Sequence, residues 1–473
     1  MLPTETIAEI LVRAAVEGGL SELFLERRRC STIVWDGGAV RERHTWEEAG
    51  AGLRVIRQGR EVQRDHTEDP SPEGLKALAD RICSSLGPKG SRRPAVELGE
   101  PQEEPVVVRA YPHEIDLAEK AELVQAIGQA ILRRWPGIDR ALVKYDDYTQ
   151  EVLIADSEGL FRHDMRPIVF IMAVVTISDG AEVRLGGALR GGALDLVFVS
   201  PEEWAALGRE AAERALRQRG AVSPPEGELP VVFGPRSGFI HEFLGHPLEA
   251  RHADGIFAGK LGERVASPLV TLVDDATLFG LGGSYAFDDE GTPAQRTILV
   301  ENGVLRTFIC DRLGAAQLGL EPTGNGRRAS FRFPVLARMS NLVMAGGDAT
   351  REEIIAGVER GLLVETTLGN RSNAYGGPVL LNVVEGYLIE KGKVAAPLKP
   401  FVLAGKPLEV LPNISQVGND VAPATGMCGL PESGYIFIGD GQPTIRVEKG
   451  LRIAGTFDLG GMLPTFLQGA GGR

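Results

Sequence analysis

The sequence is poor in cysteine, histidine, aromatic residues and long apolar runs. Its 473 residues include 4 cysteines and 7 histidines, and aromatic residues make up 6% of the chain. So few cysteines in so long a chain exclude the disulfide frameworks that stabilise small secreted domains. The longest apolar run, Pro167–Ile177, is well short of the roughly 18 residues that a membrane-spanning helix needs. We therefore expect no membrane partner.

Basic residues are also in deficit, because the formal net charge is -13 and the isoelectric point is about 5.2. An acidic chain without a block of Lys and Arg binds nucleic acid poorly, so we expect no nucleic-acid partner. The first twenty residues carry acids within their apolar pattern and lack the basic start of a signal peptide. These features predict a cytoplasmic protein, and its length predicts two or more domains.

Two histidines and a glutamate stand close together in the segment Gly238–Gly255, which reads GFIHEFLGHPLEARHADG. His241, Glu242 and His246 lie beside apolar residues that can bury the backbone around them. Two imidazoles that bind a metal ion, with a glutamate that accepts a proton from water, are the groups that metal-dependent peptide hydrolysis uses. The segment therefore predicts a metallopeptidase site, and an amphipathic helix with two surface histidines is the alternative.

The histidines are five residues apart, whereas the common HExxH pattern separates them by four. On a regular α-helix a separation of four turns the second side chain by about 40°, and a separation of five by roughly 140°. A single π-type turn would reduce that angle to roughly 50°. Gly245 and Pro247 flank the second histidine and both favour an irregular turn. A π-type distortion would thus let both rings face one metal, and on either geometry Glu242 lies between the two histidines. Glu249 falls on nearly the same stripe as Glu242 and is a candidate to support a metal ligand.

Two histidines leave a zinc site incomplete, so a third ligand must come from elsewhere in the chain. Cys428 lies in a glycine-flanked segment, Thr425–Gly429, where the backbone can come close to a site. A small buried hydrophobic residue is an equally good interpretation of this cysteine. The residues alone leave five candidates for the third ligand, namely Glu249, His252, Asp254, Cys310 and Cys428.

Two further phrases in the second half allow both a functional and a structural interpretation. The phrase DDEGTP, at Asp288–Pro293, is either a second metal site or a turn. In the phrase TGNGRR, Asn325, Arg327 and Arg328 either contact a substrate carbonyl or carboxylate, or form structural contacts. The sequence leaves both questions open, as it leaves open a substrate contact of Glu249.

The hydrophobic pattern predicts an α+β fold with two domains. An N-terminal α/β-mixed domain, residues 1–225, has antiparallel strands with flanking helices, and a largely β C-terminal domain, residues 226–473, carries the HExxxH helix. The segment Ala221–Pro230, rich in Pro and Gly, marks the boundary.

Local signals place the elements within these domains. Helices are predicted over Ile7–Ala15, Ser71–Leu86, Lys120–Trp135 and Pro201–Gly220. Short strands are predicted over Leu23–Leu25 and Thr32–Trp35, a strand meander over Ala141–Leu185 and an exposed connection over Gly87–Pro105. Hairpins are predicted around Asn302-Gly303, Lys391-Gly392 and Lys449-Gly450.

The second half also contains a series of short, unusual phrases. In chain order they are HEFLGHPLE, GKLGERVAS, VTLVDDATL, DDEGTP, PTGNGRR, EGYLIEKGK, VGND, CG and GQPTIRV. Through them the chain, from His241 to about Arg446, resembles the TldD/PmbA family of metallopeptidases. The first half matches more loosely, through its organisation and the phrase GAGLRVIRQG at Gly50–Gly59.

The resemblance implies a metal site and a role for each of its residues. The family has an HExxxH helix and a cysteine near the C-terminus as the third ligand, which correspond here to His241, His246 and Cys428. Glu242 is then the general base. One Zn²⁺ per chain is implied, with another divalent metal as the alternative. The inactive subunits of the family lack the motif, so this chain resembles the catalytic type.

The resemblance also implies partners. Family members act on extended or unfolded peptides, which they hold by strand addition. They form dimers around an enclosed cavity, either as homodimers or as heterodimers with a TldD/PmbA-like paralogue. The N-terminal domain would then supply the dimer contacts and the substrate cavity.

One departure from the family lies beside the motif. Where family members often have Leu-Glu-Gly-Asp, this chain has Leu248-Glu249-Ala250-Arg251. The change keeps open an alternative function, a dedicated processing or tailoring enzyme for one peptide or peptide-like natural-product precursor. A non-catalytic peptide-binding subunit is the second alternative, and the intact HExxxH motif counts against it.

Overall fold

The computed structural model describes residues 2–86, 96–103, 108–179, 182–194 and 201–457. Within these ranges the chain is a mixed α+β protein with several sheets, as the sequence predicts. The exposed connection predicted over Gly87–Pro105 lies for the most part outside the described residues. No helix in the described ranges has both the length and the apolar character needed to cross a membrane.

A long antiparallel sheet organises the N-terminal half. Its strands are β1 Gly19–Asp36, β2 Ala39–Arg57, β3 Arg60–Thr67, β4 Gln102–Glu103, β5 Arg140–Asp156, β6 Phe161–Asp179 and β7 Glu182–Gly192. They run in the order β3-β2-β1-β5-β6; β7 pairs with β6 antiparallel, and the short β4 pairs with β6 in parallel. The meander predicted from the sequence corresponds to β5, β6 and β7.

Strand β1 is one element of 18 residues, so the prediction of two separate pieces is wrong. The sequence predicts these pieces over Leu23–Leu25 and Thr32–Trp35. Charged residues between them interrupt the apolar pattern, but other segments satisfy those charges. Gln150 and the backbone N–H of Phe331 donate to Glu26, and Arg28 Nε lies 2.5 Å from the same carboxylate. The strand continues because these contacts compensate the buried charge.

Four helices of the described N-terminal half pack on one face of this sheet. They are α1 Thr4–Ala14, α2 Pro72–Ser85, α3 Leu117–Arg134 and α4 Pro201–Arg217. All four are predicted from the sequence, with boundaries that differ by three residues at most. Ser71 caps α2 by accepting a hydrogen bond from the Gly74 N–H at 3.1 Å. Helices α1 and α2 bury their apolar faces around Leu23, and α3 and α4 bury theirs around Trp35.

The C-terminal half contains short strands and short helices. Its helices are α5 Arg312–Leu318, α6 Arg351–Ala356 and α7 Pro407–Val410. Its first strands are β8 Val231–Phe233, β9 Leu272–Asp275, β10 Arg296–Glu301, β11 Val304–Leu305, β12 Gly326–Arg327, β13 Leu336–Ala337, β14 Asn341–Met344 and β15 Arg360–Thr367. The remaining strands are β16 Val379–Glu390, β17 Lys393–Leu398, β18 Phe401–Gly405, β19 Ile414–Val417, β20 Ala424–Leu430, β21 Gly434–Gly441, β22 Ile445–Val447 and β23 Leu451–Thr456.

Two larger sheets enclose the core of this half. One has the strand order β11-β10-β9-β14-β21-β20, and the other has the order β19-β22-β8-β15-β16-β18-β23, with β17 paired to β16. The short strands β12 and β13 pair with each other. Apolar side chains from both larger sheets form one cluster, in which Phe239, Phe243 and Cys428 are included.

Two of the three predicted hairpins are present. Asn302 and Lys391 both have φ of 50°, each is followed by a glycine with positive φ, and they join β10 to β11 and β16 to β17. The hairpin predicted around Lys449-Gly450 is wrong. Strand β22 is already flanked by β19 and β8, so β23 pairs with β18 instead.

Buried ion pairs join the two halves of the chain. Arg54 of β2 lies 2.8 Å from Glu22 of β1 and 2.5 Å from Glu290, which belongs to the C-terminal half. Arg166 of β6 lies 2.6 Å from Asp289 in the same way. Since removing one partner of a buried pair leaves an uncompensated charge, these contacts favour one arrangement of the interface.

Replacing Glu290 with glutamine should change the pH dependence of stability. Burial raises the pKa of Glu290 from 4.5 to about 7, although Arg54 opposes the shift. Between these pH values the folded protein holds a proton that the unfolded chain has released, so this carboxyl's contribution to the free energy of unfolding falls as pH rises. In Glu290→Gln that fall is absent.

Denaturant unfolding at several pH values measures the effect. The unfolding free energy of the variant minus that of the wild type should increase between pH 4.5 and about 7. A difference that stays constant or decreases over this interval would contradict the prediction.

Candidate metal centre

The segment with the two histidines forms a π-helical turn. It covers His241–Gly245 and continues into a 3-10 turn over His246–Leu248, so the chain has the distortion that a shared metal site requires. The backbone N–H of His246 donates to the carbonyl of His241, which is the five-residue hydrogen bond of a π turn. Gly245 permits close packing here, because a Cβ atom at this position would lie 2.3 Å from the sulfur of Met339.

The apolar side of the turn is anchored in the core. The rings of Phe239 and Phe243 stack with centroids 4.5 Å apart, and Phe233 of β8 lies 4.6 Å from Phe239. The side chain of Gln442, fully buried, accepts a hydrogen bond from the Ile240 N–H at 3.1 Å. These contacts fix the direction in which the turn presents its histidines.

The structure brings together His241, His246 and Cys428. One ligand atom from each lies within 4.8 Å of the other two. The Cys428 Sγ atom is 3.4 Å from Nε2 of His246, and the two imidazole rings have centroids 4.8 Å apart at an interplanar angle of 86°. Cys428 comes from β20, and all three residues are less than 10% exposed.

The donor set fits zinc, and so does the separation between Cys428 and His246. With Zn–N distances near 2.0 Å and Zn–S near 2.3 Å, the ligand atoms of a tetrahedral site lie roughly 3.3–3.6 Å apart. The sulfur–nitrogen separation of 3.4 Å falls in that range. Two imidazoles and one thiolate leave a fourth position for water or substrate, as catalytic sites require. The described residues contain one group of converging His, Cys, Asp or Glu ligands, and it is this one.

The charges of the three side chains support one another. Burial alone would raise the pKa of the Cys428 thiol, but His246 and His241 lower it well below its ordinary value. Burial disfavours the charged imidazole of His246, but Cys428 and then Glu249 raise its pKa well above the usual range. A cysteine held as the thiolate is in the form that binds metal.

Glu242 lies between the two histidines in the chain and is 7% exposed. Burial raises the pKa of its carboxyl above the ordinary value, against the opposing charges of His241 and His246. The hydroxyl of Ser372 donates to the backbone carbonyl of Glu242 at 2.7 Å and so ties this residue to a neighbouring loop. A carboxyl with a raised pKa beside a metal site is suited to accept and return a proton.

The other four candidates for the third ligand make different contacts. Nδ1 of His252 lies 2.7 Å from the backbone carbonyl of His246. Cys310 is fully buried among apolar side chains, and burial raises the pKa of its thiol to about 12. Asp254 is exposed. Glu249 contacts the ring of His246 at Nδ1, 3.4 Å away, behind the converging ligand atoms.

The DDEGTP phrase forms a turn. Asp289 and Glu290 pair with the arginines of the N-terminal sheet. The carboxylate of Asp288 accepts hydrogen bonds from three backbone N–H groups, which belong to Glu290, Thr292 and Gly326. These contacts account for the phrase by turn chemistry and ion pairing.

The polar residues of the TGNGRR phrase have their side chains in buried structural contacts. Arg327 donates to the carbonyls of Met339 and Phe437 at 2.5 and 2.7 Å. Arg328 lies 3.4 Å from Glu22 across the interface between the halves. Within the C-terminal half, the Asn325 amide donates to Asp274 at 2.8 Å.

Two polar residues near the site carry no signal in the sequence. Asp440 lies on β21, and burial raises its pKa to about 6 while His241 opposes the shift. Arg338 is fully buried and donates to the backbone carbonyl of Cys428 at 3.0 Å. Neither has ligand-type spacing to the histidines, so only the folded chain shows that they are neighbours of the site.

Models of known families match successive parts of the chain. The PmbA/TldA metallopeptidase domain 1 matches residues 21–86, the central domain residues 110–219 and the C-terminal domain residues 226–455. A Methanothermobacter thermautotrophicus protein named metalloprotease is 33% identical over 96% of this chain and 100% of its own. The chain belongs to the PmbA/TldD metallopeptidase family. The family assignment made from the short phrases is therefore confirmed.

Other PmbA/TldD relatives agree with this assignment. A Saccharolobus solfataricus protein named zinc metalloprotease TldD homolog is 30% identical over 51% of this chain and 55% of its own. Among solved structures, TldE from Thermococcus kodakarensis has a TM-score of 0.74 and 21% identity, and the match covers 95% of this chain and 99% of that one. At this identity the likeness shows a shared fold.

Replacing Cys428 with alanine should abolish or greatly weaken zinc binding, because two histidines alone leave the site incomplete. Elemental analysis after dialysis should find about one zinc per chain in the wild type and much less in the variant. Cys83→Ala, at a partly exposed cysteine on α2, is the matched control and should keep its zinc. Full zinc retention in Cys428→Ala would show that another residue completes the site.

Proposed function

We propose that this protein is a zinc-dependent peptidase that hydrolyses peptide bonds of extended or unfolded peptides. The convergence of His241, His246 and Cys428, with Glu242 next to the first of them, carries the proposal. Membership of a metallopeptidase family supports a peptide substrate. The donor set supports zinc, as does the name of the Saccharolobus relative, and another divalent metal is the alternative.

Each residue of the site then has a distinct task. Zinc, when bound, supplies a Lewis acid that polarises the scissile carbonyl and makes water a stronger nucleophile near neutral pH. Glu242 accepts a proton from the attacking water at its carboxylate and gives it to the leaving nitrogen. Cys428 contributes as a thiolate, which donates more charge than a neutral imidazole and so moderates the acidity of the centre.

The strand that carries Cys428 offers a place for an extended peptide. Strand β20 is the last strand of its sheet, and among the described residues it pairs on one side only, with β21. A peptide that adds to its free side passes close to the ligand cysteine. Gly426 lies two residues before Cys428, on the same face of the strand, and leaves room beside it, since a Cβ atom there would meet only the side chain of Ile438, at 4.0 Å. In strand addition the peptide is bound through main-chain hydrogen bonds, so peptides of many different sequences can bind.

A dedicated processing or tailoring enzyme for one peptide or peptide-like precursor is the second candidate function. It is favoured by Arg251, which stands where the resemblance leads us to expect an acid. Arg251 pairs with Glu249 at 3.0 Å and with Glu432 in the turn after β20. A changed charge beside the substrate strand is a route to narrower selectivity.

The proposal extends to location and assembly. We place the protein in the cytoplasm, as its acidic composition and its low cysteine content favour. We propose a dimer, formed with a second copy or with a TldD/PmbA-like paralogue. The two-domain division at about residue 225 belongs to the same proposal, with the N-terminal domain supplying the dimer contacts and the substrate cavity.

Replacing Glu242 with glutamine should preserve zinc binding and reduce peptide hydrolysis. The expected loss in turnover is about 10²-fold or more, because glutamine cannot accept the proton. Cleavage of an unfolded casein chain and elemental analysis on the same samples measure the two properties. Glu263→Gln, at a half-exposed surface position, is the control and should match the wild type. If the zinc-loaded Glu242→Gln variant kept the wild-type turnover, Glu242 would not be the general base.

Backbone methylation of a peptide substrate should reveal strand addition. In an added strand, alternate N–H groups point toward the partner strand, so methylating them removes hydrogen bonds. Two peptides of one sequence, N-methylated at alternate positions of opposite parity, should differ at least several-fold in KM. Equal KM values for the two peptides would exclude pairing along β20.

A further inference from the structure

Behind His246 lies a fully buried carboxylate, that of Glu249. Its Oε1 atom is 3.4 Å from Nδ1 of His246, the ring nitrogen opposite to the one that faces the Cys428 sulfur. The side chain is 0% exposed, so its charge requires compensation from the protein. The carboxylate thus contacts Nδ1 of His246, while Nε2 of the same ring faces the other two proposed ligands.

Arg338 provides part of that compensation. It is 0% exposed, and its Nε atom lies 3.6 Å from the same Oε1 atom of Glu249. Its guanidinium also donates to the backbone carbonyl of Cys428 at 3.0 Å and to the hydroxyl of Ser433. One arginine thus touches the carboxylate behind the second ligand and the backbone of the third.

Arg251 contacts the other oxygen of Glu249. Its Nε atom donates to Oε2 at 3.0 Å, and its guanidinium pairs with Glu432, which is half exposed. The buried carboxylate therefore has one arginine on each side, and the second arginine leads outward to the surface. The chain of contacts runs from the imidazole of His246 to solvent.

We propose that Glu249 is a positioning residue of the metal centre and that Arg338 fixes it in place, joining the His246 ring to the strand of Cys428. This proposal rests on the proposed zinc site. When Nε2 of His246 binds a metal, Nδ1 carries a proton and can donate to Glu249. The two atoms are 3.4 Å apart in this structure. Closing that contact to a hydrogen bond in the metal-bound protein sets the tautomer and orientation of the ring and makes its nitrogen a stronger donor.

Arg338 gives this positioning a second effect. Arg338 contacts both Glu249 and the backbone carbonyl of Cys428. It therefore fixes the position of the His246 ring relative to the Cys428 sulfur. His246 and Cys428 come from distant segments of the chain. Because Arg338 holds them together before the metal binds, less conformational entropy is lost on binding. Neither Glu249 nor Arg338 touches the reacting atoms, and their influence passes through the ligands.

Zinc affinity of Glu249→Gln is the primary test, measured by competition with a chelator on the full-length protein. Glutamine keeps the size of the side chain but loses its charge, and we expect affinity to fall about 10- to 100-fold. Glu432→Gln removes a carboxylate at the exposed end of the same contacts and should leave affinity unchanged. Affinity equal to the wild type in a folded Glu249→Gln would overturn the proposal.

The absorption spectrum of the Co²⁺-substituted protein separates a positioning role from a purely structural one, because a loss of stability alone would not change it. The d–d absorption bands of the Co²⁺ protein report ligand geometry, and we expect them to shift in Glu249→Gln while the thiolate charge-transfer band persists. Unchanged d–d bands in the cobalt-loaded variant would overturn the proposal. Wild-type protein that binds neither metal would instead refute the proposed function, so the two failures are distinguishable.

A charge-balanced variant covers the case in which Glu249→Gln does not fold. In Glu249→Gln/Arg251→Gln, one positive and one negative charge leave together, so Arg338 is the one of the two arginines that remains, and it keeps its backbone contact. Circular dichroism verifies the fold. The double variant should show the same loss of zinc affinity, and wild-type affinity would overturn the proposal.

Discussion

The meeting of a buried thiolate with two histidines from a distant segment is the constraint on which the site depends. Cys428 and His246 are 182 residues apart in the chain, yet their ligand atoms lie 3.4 Å apart. A buried charge is costly unless an opposite charge compensates it, and here the cysteine and the histidines compensate one another. The site is therefore favourable only when all three groups are in place.

Buried polar side chains of the C-terminal half hold in place the segments that carry His241, His246 and Cys428. Gln442 holds the start of the π turn. Arg327 joins the backbone just before β14 to β21, because it donates to the carbonyls of Met339 and Phe437. Arg338 holds the carbonyl of Cys428 itself, the proposed third ligand. These side chains come from different places in the sequence. Each forms a hydrogen bond with a backbone group in the part of the fold that contains the three proposed ligands. Polar residues that look like candidates for substrate contacts thus have a structural task.

Local chemistry explains which parts of the structure the sequence can predict. The π turn follows from five-residue histidine spacing with glycine and proline beside it, and the hairpins at Asn302 and Lys391 follow from two-residue turns that require positive φ. Likewise, Ser71 marks the start of a helix because its side chain caps the first turn. Each of these signals lies within a few residues of the feature that it predicts.

The parts that the sequence does not predict depend on distant neighbours. The turn at Lys449-Gly450 has hairpin chemistry, but β22 is already flanked on both sides and leaves no edge for β23. Strand β1 continues through charged residues because Phe331 and Gln150, far along the chain, satisfy Glu26. For the same reason the places of Asp440 and Arg338 beside the site emerge only in the folded chain.

The most direct test of this account is X-ray absorption at the zinc edge of the zinc-loaded wild-type protein. The central claim is that two imidazoles and the Cys428 thiolate hold the metal. It predicts one sulfur neighbour at about 2.3 Å, together with nitrogen or oxygen neighbours at about 2.0–2.1 Å. A first shell of nitrogen and oxygen alone would contradict the claim, because the cysteine would then lie beside the metal without binding it.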